Sequence, residues 1–246
     1  MEIRRQHFKS IDSTHAQLMR AGDELAEGTL ITADFQEKGR GRLGRTWTAS
    51  PGSSLLASLL LKPKIAAAKA PQLTHAIALA CAHALIREGL DIKIRWPNDL
   101  VCNDKKIAGI LAESSILGNK VDFAVLSFGI NLNQSQGELD EIDRPATSCA
   151  VESGKAWDPD KLLDAIMAEL KALYSSYVTE GFAALKKGWE SLNYLEGRAI
   201  TIDLGNSKMD GIAKGIDDDG RLILSVKDET KKFTAGEVIR VSGETL

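Results

Sequence analysis

The stretch of chain that decides the fold is residues 91–132, which read DIKIRWPNDLVCNDKKIAGILAESSILGNKVDFAVLSFGINL. Its apolar segments cover residues 92–96, 100–102, 105–116 and 121–131. They are divided by turn-forming residues, namely Pro97, Asn103-Asp104 and Gly118-Asn119. Short apolar runs that alternate with tight turns are typical of neighbouring strands, so this stretch predicts an antiparallel meander.

Helices and further strands are predicted on both sides of the meander. Upstream, the pattern predicts a short helix over residues 13–22, strands over 30–34 and 53–61, and an alanine-rich helix over 71–89. Downstream, one helix begins at Asp158-Pro159, an N-cap followed by proline in the first turn, and a second covers residues 182–192. The chain therefore combines helices with tightly connected strands.

The chain changes character after Gly197. Short apolar segments alternate there with Gly and Asp turns, over residues 199–204, 211–216, 221–226, 231–234 and 238–241. This texture predicts a small β-barrel appended to the main domain. We therefore predict two domains, residues 1–196 and residues 197–246.

The composition argues against several classes of protein. The 246 residues are 43% hydrophobic and 26% charged, and the net charge of −3 disfavours a protein whose main partner is nucleic acid. The most apolar segment, residues 55–61, is far shorter than the roughly 20 residues of a membrane-spanning helix, and no secretory signal follows Met1. Cys81, Cys102 and Cys149 match neither a disulfide framework nor a zinc motif, so we expect reduced thiols in a cytoplasmic protein.

Residues 39–46 read GRGRLGRT, with three glycines and three arginines. The glycines fit a dinucleotide-binding fingerprint and nearly fit a phosphate-loop pattern, but both patterns require a helix that the following residues do not predict. Glycines let a backbone approach a ligand, and arginines present forked donors to phosphate or carboxylate oxygens. Phosphate binding, a solvated surface loop and an RNA-contacting segment all remain open here. We expect residues 36–47 to be mobile until an anion binds, because ordering glycines costs entropy.

Three more segments carry polar residues near strand ends: residues 95–99 (Arg-Trp-Pro-Asn-Asp), 105–109 (Lys-Lys-Ile-Ala-Gly) and 129–131 (Gly-Ile-Asn). The first is compatible with a plain turn, which Pro, Asn and Asp favour. In the second, Lys106 either is solvated or points into a pocket past its small neighbours. The third is either a strand-end turn or the floor of a binding site. Each segment is ambiguous when taken alone.

In combination and in this order, the four segments resemble the motifs of the biotin–protein ligase family, from Asp12-Ser13-Thr14 to Gly236-Glu237. The resemblance implies an α+β fold: a class II synthetase-like biotin/lipoate ligase catalytic domain with a mixed, largely antiparallel sheet, followed by a small SH3-like β-barrel. It also implies ATP- and Mg²⁺-dependent formation of biotinyl-5′-AMP from biotin. Biotin would then pass to a lysine of a biotin carboxyl carrier protein domain of a biotin-dependent carboxylase. A homodimer is left open.

The resemblance also implies roles for single residues. The residues that match biotin-binding positions are Ser13, Thr14, Gln36, Gly39, Arg40, Gly41, Lys106, Gly109 and Gly129. The residues that match nucleotide-binding positions are Arg42, Trp47, Asn98, Asp99, Lys106 and Asn131. Lys106, Arg40 and Arg42 would act in catalysis, and no residue is assigned to a metal.

Two positions depart from the family pattern. His15 stands where Asn is common, and Ser127 stands where Gly is common. The Asp-Ser-Thr motif begins at residue 12, which leaves no room for the DNA-binding domain of larger family members, so we expect no specific DNA binding. Three alternatives remain: a lipoate ligase or octanoyltransferase on the same fold, a non-catalytic biotin sensor, and an RNA-binding Arg/Gly loop.

Overall fold

A computed structural model of the protein describes residues 1–142, 144–227 and 229–242. Its strands are β1 (Arg4–Ile11), β2 (Thr29–Gln36), β3 (Ser54–Leu61), β4 (Lys93–Arg95), β5 (Asp99–Cys102), β6 (Lys105–Leu117), β7 (Lys120–Asn131), β8 (Ala199–Asp203), β9 (Lys208–Ile216), β10 (Leu222–Val226), β11 (Glu229–Phe233) and β12 (Glu237–Val241). Its α-helices are α1 (Thr14–Ala21), α2 (Gln72–Arg87), α3 (Gln136–Asp140), α4 (Cys149–Ser153), α5 (Pro159–Glu180) and α6 (Ala183–Ser191). The end of the predicted second domain, residues 243–246, lies outside the described residues.

The first seven strands form one sheet in the order β1-β2-β3-β7-β6-β5-β4. β1 and β2 are parallel, whereas every other neighbouring pair in this sheet is antiparallel. The strands β4 to β7 follow one another in the chain and in the sheet, which confirms the predicted meander. The central strand of the whole sheet is β7, which lies between β3 and β6.

Helices cover both faces of this sheet. Leu59 and Leu61 of β3 belong to the main core with α2, whereas Leu60 packs with Leu18 of α1 on the other face. Successive side chains of a strand point to opposite faces, so the uninterrupted apolar run of β3 requires cover on both sides. Every residue of β3 is buried.

Two predicted helix starts are confirmed by their N-caps. The Ser13 side chain accepts a hydrogen bond from the backbone N–H of Ala16, and Asp158 caps α5 in the same way. Pairing these otherwise unpaired N–H groups stabilises a helix by about 1 kcal/mol. Ser13 thereby fixes where α1 begins, and with it the positions of Thr14 and His15.

The sequence patterns did not predict β1, α3 or α4. β1 reads RRQHFKSI and is exposed at most positions, as is common for an edge strand, so it lacks clear apolar alternation. α3 and α4 have five residues each, too few for helical periodicity to show. Both begin with a serine N-cap, Ser135 and Ser148, and these serines were the one feature from which the helices could have been predicted.

The remaining strands form a second, antiparallel sheet in the order β11-β10-β9-β8-β12. The predicted fold class is thereby confirmed. The turn between β9 and β10 contacts the rest of the chain: the Gly220 oxygen lies 3.0 Å from His75 Nε2 and accepts the indole N–H of Trp96 at 3.3 Å. The boundary at residues 196–197 falls between α6 and β8, and the division into two domains stays a prediction.

No helix in the described part of the chain is long and apolar enough to cross a membrane. Cys81, Cys102 and Cys149 are buried and free of disulfides. Burial raises the pKa of Cys102 and of Cys149 to about 12, so both are inert thiols at neutral pH.

Candidate active site

The four motifs meet at one cavity of about 800 Å³, which is lined mostly by the first sheet and its loops and also by Glu237 and Val238 of β12. The predicted site residues that line it are Ser13, Thr14, Gln36, Arg40, Gly41, Arg42, Trp47, Asn98, Asp99, Lys106, Gly109, Gly129 and Asn131. Gly39 does not line the cavity. It is buried beneath the loop, where an added Cβ would lie 2.3 Å from the carbonyl oxygen of Trp47. The structure therefore brings the motifs together, while Gly39 shapes the loop from behind.

The floor of the cavity is a pair of glycines on neighbouring strands. Gly109 of β6 lies opposite Gly129 of β7. The Trp47 indole rests on this pair: a Cβ added to Gly129 would lie 2.6 Å from Trp47 Cε2, and one added to Gly109 would lie 3.0 Å from Cζ3. The two glycines therefore make room for the Trp47 indole. The Trp47 indole N–H is buried without a partner among the described residues.

Lys106 is held at the cavity wall by Asp99 on the neighbouring strand and by the backbone of residues 145–147. Its Nζ lies 2.7 Å from Oδ1 of Asp99 and 5.9 Å from the centre of the Trp47 ring. Its backbone N–H donates to the carbonyl of Pro145, and its carbonyl accepts from the N–H of Thr147, both at 2.9 Å. The strand therefore fixes where the ammonium sits, while a third of the side chain stays open to solvent.

The Gly/Arg loop, residues 39–46, folds back on itself. The N–H of Gly41 donates to the carbonyl of Arg45 at 2.8 Å, and Leu43 and Gly44 have φ angles of 56° and 74° at the tip. Arg42 donates to Asn98 Oδ1 at 3.1 Å. Burial lowers the pKa of Arg42, and the charge of Asp99 opposes that shift. Arg42 points inward, and Arg40 lines the cavity from an exposed position.

The second sheet supplies a carboxylate that was not among the predicted site residues. Glu237 of β12 pairs with Arg45, and Arg144 donates to Glu237 Oε1 at 3.1 Å. Burial raises the pKa of Glu237, but hydrogen bonds from Arg45 and Arg144 outweigh it, so the pKa is lowered. Glu237 could have been predicted as a site residue, because it lies in the segment Gly236-Glu237, which resembles the family pattern. Arg144 lies in no motif and gave none.

Two predicted nucleotide-binding amides have partners within the protein. Asn98 Nδ2 donates to the carbonyl of Ile110 at 2.7 Å. Asn131 is buried, donates to the carbonyl of Thr147 at 3.0 Å, and accepts from Gln134 at 3.2 Å. Asn131 therefore ties the segment after β7 to the strand itself.

The opposite end of the cavity is uncharged. Gln36 Oε1 accepts two hydrogen bonds from Thr14, from the backbone N–H at 2.8 Å and from the hydroxyl at 2.9 Å. The Thr14 hydroxyl lies 2.8 Å from that of Ser58, which lies 2.7 Å from that of Ser127. All three hydroxyl residues are buried. A continuous polar chain thus leads from the cavity into the sheet.

His15 ends this chain. Its Nδ1 lies 2.7 Å from the Ser127 hydroxyl, so the two positions that depart from the family pattern contact each other. On its other side, Nε2 lies 3.0 Å from Glu113 Oε2, a close contact without the alignment of a well-formed hydrogen bond. Burial lowers the pKa of His15, Glu113 raises it, and Arg40 lowers it further.

Within the described residues, no group of three or more His, Cys, Asp or Glu side chains is placed to hold a metal ion. Mg²⁺ commonly uses one or two carboxylates together with the phosphates of a substrate. Asp99, in the cavity and beside Lys106, fits that smaller requirement.

Comparison with known proteins shows the family of the chain. Residues 7–131 match the biotin/lipoate A/B protein ligase family, and residues 197–241 match the biotin protein ligase C-terminal domain. The bifunctional ligase/repressor BirA of Bacillus subtilis is 34% identical over 220 residues, 89% of this chain and 68% of that protein. The biotin–[acetyl-CoA-carboxylase] ligase of Paracoccus denitrificans is 33% identical over 232 residues, 92% of this chain and 96% of that protein.

A solved structure extends the likeness to three dimensions. The biotin protein ligase from Aquifex aeolicus in complex with biotin and ATP superposes with a TM-score of 0.83 at 29% identity, covering 97% of this chain and 99% of that one. The chain therefore belongs to the biotin/lipoate A/B protein ligase family, and within it to the biotin–protein ligases. The resemblance seen in the sequence motifs is confirmed.

Proposed function

We propose that the chain activates biotin with ATP to form biotinyl-5′-AMP, and then transfers biotin to one lysine of a biotin carboxyl carrier protein domain of a biotin-dependent carboxylase. The observation that carries the proposal is the convergence of all four motifs on one cavity. The name of the Paracoccus relative specifies acetyl-CoA carboxylase, and the Aquifex structure contains biotin and ATP.

The first step joins two anions. A biotin carboxylate oxygen attacks the α-phosphorus of ATP, and the bond to the departing pyrophosphate breaks. Repulsion between the reactants opposes their approach, so fixed positive charge lowers the barrier. Lys106, Arg40 and Arg42 supply that charge, and Asp99 at 2.7 Å positions the Lys106 ammonium until substrate oxygens share it. Mg²⁺, when bound with ATP, would add positive charge at the phosphates, and Asp99 is one carboxylate of the cavity that would hold it.

The second step releases the activated acid. The carrier lysine, as a neutral amine, attacks the carbonyl carbon of the mixed anhydride. AMP leaves with the bonding electrons, and the amine loses a proton. No nucleophile of the enzyme takes part. The loop with Trp47 covers the anhydride and excludes water between the two steps.

The two ends of the cavity divide the substrates between them. We assign the ureido ring of biotin to the uncharged end, at Ser13, Thr14 and Gln36, with the backbone of Gly41 beside its carboxylate. We assign ATP to the charged end, with Arg42, Asn98 and Asp99 around the phosphates. We assign the reacting groups of the two substrates to the space between these ends, beside the Gly109–Gly129 pair and the Trp47 indole that packs on it.

Three further statements about the whole protein belong to the proposal. The chain divides into a catalytic domain, residues 1–196, and a C-terminal domain, residues 197–246, supported by the two separate sheets. It acts in the cytoplasm, supported by free, buried cysteines. It binds no specific DNA, supported by the net charge of −3.

The test is exchange of labelled pyrophosphate into ATP by the purified protein, with biotin, lipoate or octanoate as the acid. We expect exchange only with biotin and Mg²⁺ together. Equal exchange with lipoate or octanoate would reject the substrate, and no exchange with any acid would reject the activation step. Transfer is then measured with a carrier domain and with the same domain whose target lysine is replaced by Arg.

A further inference from the structure

The buried chain of hydroxyls between Gln36 and His15 has a direction. Gln36 Oε1 is an acceptor, because the backbone N–H of Thr14 donates to it at 2.8 Å. A hydroxyl has one hydrogen to donate. If the Thr14 hydroxyl also donates to Gln36, it must accept from Ser58, and Ser58 must accept from Ser127. Ser127 then has no hydrogen left for His15, so the complete chain requires a hydrogen on His15 Nδ1.

The contact on the other side of the imidazole favours a hydrogen on Nε2. Nε2 of His15 lies 3.0 Å from the Glu113 carboxylate, which can only accept. A neutral imidazole with its hydrogen on Nδ1 turns a lone pair toward this carboxylate. With the hydrogen on Nε2 instead, Ser127 donates to Nδ1, and each hydroxyl of the chain donates in the opposite direction. No hydrogen then lies between the oxygens of Thr14 and Gln36, which are 2.9 Å apart. Only the imidazolium, with both hydrogens, satisfies both neighbours.

The charged groups that act on His15 come from two elements: Glu113 from β6 and Arg40 from the Gly/Arg loop. Burial lowers the pKa of His15, and Arg40 lowers it further against the opposing effect of Glu113. Without ligand the ring is therefore neutral at neutral pH and satisfies only one of its two neighbours.

We propose that His15 is a positioning residue that takes up a proton when biotin binds. The inference rests on the proposed function, in which Thr14 and Gln36 contact the ureido ring. Bound biotin excludes the water that could otherwise donate to the oxygens of both Thr14 and Gln36, so the complex favours the chain that runs from His15 to Gln36. The proton comes from solvent and binds at Nε2, and the half-exposed carboxylate of Glu113 shares it.

The sign of the pH dependence follows from linkage. Binding raises the pKa of His15, so affinity is highest below its ligand-free pKa and is lost as the pH rises through its ligand-bound pKa. We expect the dissociation constant for biotin to increase by about tenfold between pH 5 and pH 8, a range typical of coupling between sites and of histidine titration.

The experiment is titration calorimetry of biotin across this pH range, in two buffers of different ionisation enthalpy, which measures proton uptake directly. Ser58→Ala breaks the chain but keeps His15 and its charged neighbours, so uptake should disappear. His15→Asn keeps an N–H for Ser127 but cannot titrate, so its affinity should be independent of pH. Ser127→Gly, which carries the residue common in the family, serves as a second break of the chain should Ser58→Ala fold poorly.

The control is His83→Asn, because His83 pairs with Glu169 on the helical layer away from the cavity and should leave uptake unchanged. Uptake that persists in Ser58→Ala would show that the charge of Arg40 alone couples biotin to His15, and would overturn the hydroxyl chain. Biotin binding without pH dependence in the parent protein would overturn the inference and leave the proposed function intact. No biotin binding at any pH would overturn both.

Discussion

The two ends of the cavity are built from different interactions. At one end, uncharged groups bond to one another in a continuous chain, namely the half-buried Gln36 and the buried Thr14, Ser58 and Ser127. At the other end, partly exposed charged groups form ion pairs, namely Lys106 with Asp99, and Arg45 and Arg144 with Glu237. The first end already has the shape and polarity of a site for a neutral ring. The second has charges that must exchange partners when an anion arrives.

The costs of rearrangement differ in the same way. An exposed ion pair contributes at most about 1 kcal/mol, so its charges can exchange partners readily. A buried donor or acceptor that loses its partner costs about 1–3 kcal/mol. The uncharged end is therefore suited to selecting a substrate, and the charged end to stabilising charge that develops during the reaction.

The largest effect should come from the charged end. Lys106→Ala should slow adenylate formation by about 10²–10³-fold, the usual cost of one lost electrostatic donor at a transition state. The measurement is pyrophosphate exchange at saturating biotin and ATP. Lys105→Ala is the matched control and should be nearly silent, since neighbouring strand residues point to opposite sides. If the two variants behave alike, the assignment of Lys106 to the cavity side is wrong.

At the uncharged end, Thr14→Val should weaken binding rather than chemistry. The substitution keeps the shape but removes the hydroxyl that links Gln36 to Ser58 and faces the cavity, so the dissociation constant for biotin should rise by about 10–100-fold. The rate at saturating biotin should stay close to that of the parent. Thr29→Val is the control, because the buried Thr29 hydroxyl bonds to Ala26 outside the cavity. A loss of rate without loss of affinity would contradict the division of roles.

A smaller effect is expected at Glu237. In the proposed site, ATP phosphates would compete with Glu237 for Arg45 and Arg144, so Glu237→Gln should lower the KM for ATP. The effect should be at most about fivefold, because both arginines are about half exposed. Steady-state kinetics measures this, with Glu229→Gln in the same sheet as the control. A higher KM would mean instead that Glu237 holds the two arginines in the position that ATP needs.

The smallest effect should come from salt. Raising the ionic strength from about 0.1 to 1 M shortens the screening length from about 10 to 3 Å. The KM for ATP should rise by about twofold, because the site that we propose for it is partly exposed and charged. The biotin affinity of the buried, uncharged end should change less. If salt changed the KM for ATP and the affinity for biotin equally, the proposed difference in charge between the two ends would be wrong.

Local patterns predicted most of the fold. Pro97, Asn103-Asp104 and Gly118-Asn119 mark turns by their own conformational preferences, and β4 to β7 followed from them. β1 was not predicted, because an exposed edge strand lacks the alternation of apolar and polar residues that indicates a strand. The strands of the second sheet were found because each is bounded by Gly or Asp turns.

The site was predictable where its residues lie in compact motifs, as Arg40, Arg42 and Lys106 do. Ser58 was not, because it reads as one position in the apolar strand SLLASLLL. Its partners Thr14 and Ser127 lie 44 and 69 residues away in the chain. Such contacts depend on strand register, which β-bulges such as the one between Leu100 and Val101 shift by a residue.

The position of Trp47 on the Gly109–Gly129 floor gives the protein an intrinsic optical reporter. Of the four tryptophans, Trp96, Trp157 and Trp189 are buried, whereas Trp47 is only partly covered and lies where a ligand must pass. Its fluorescence should change when biotin or the adenylate enters, and the change should be absent from Trp47→Phe. Stopped-flow emission would then follow filling of the cavity in real time without an added dye.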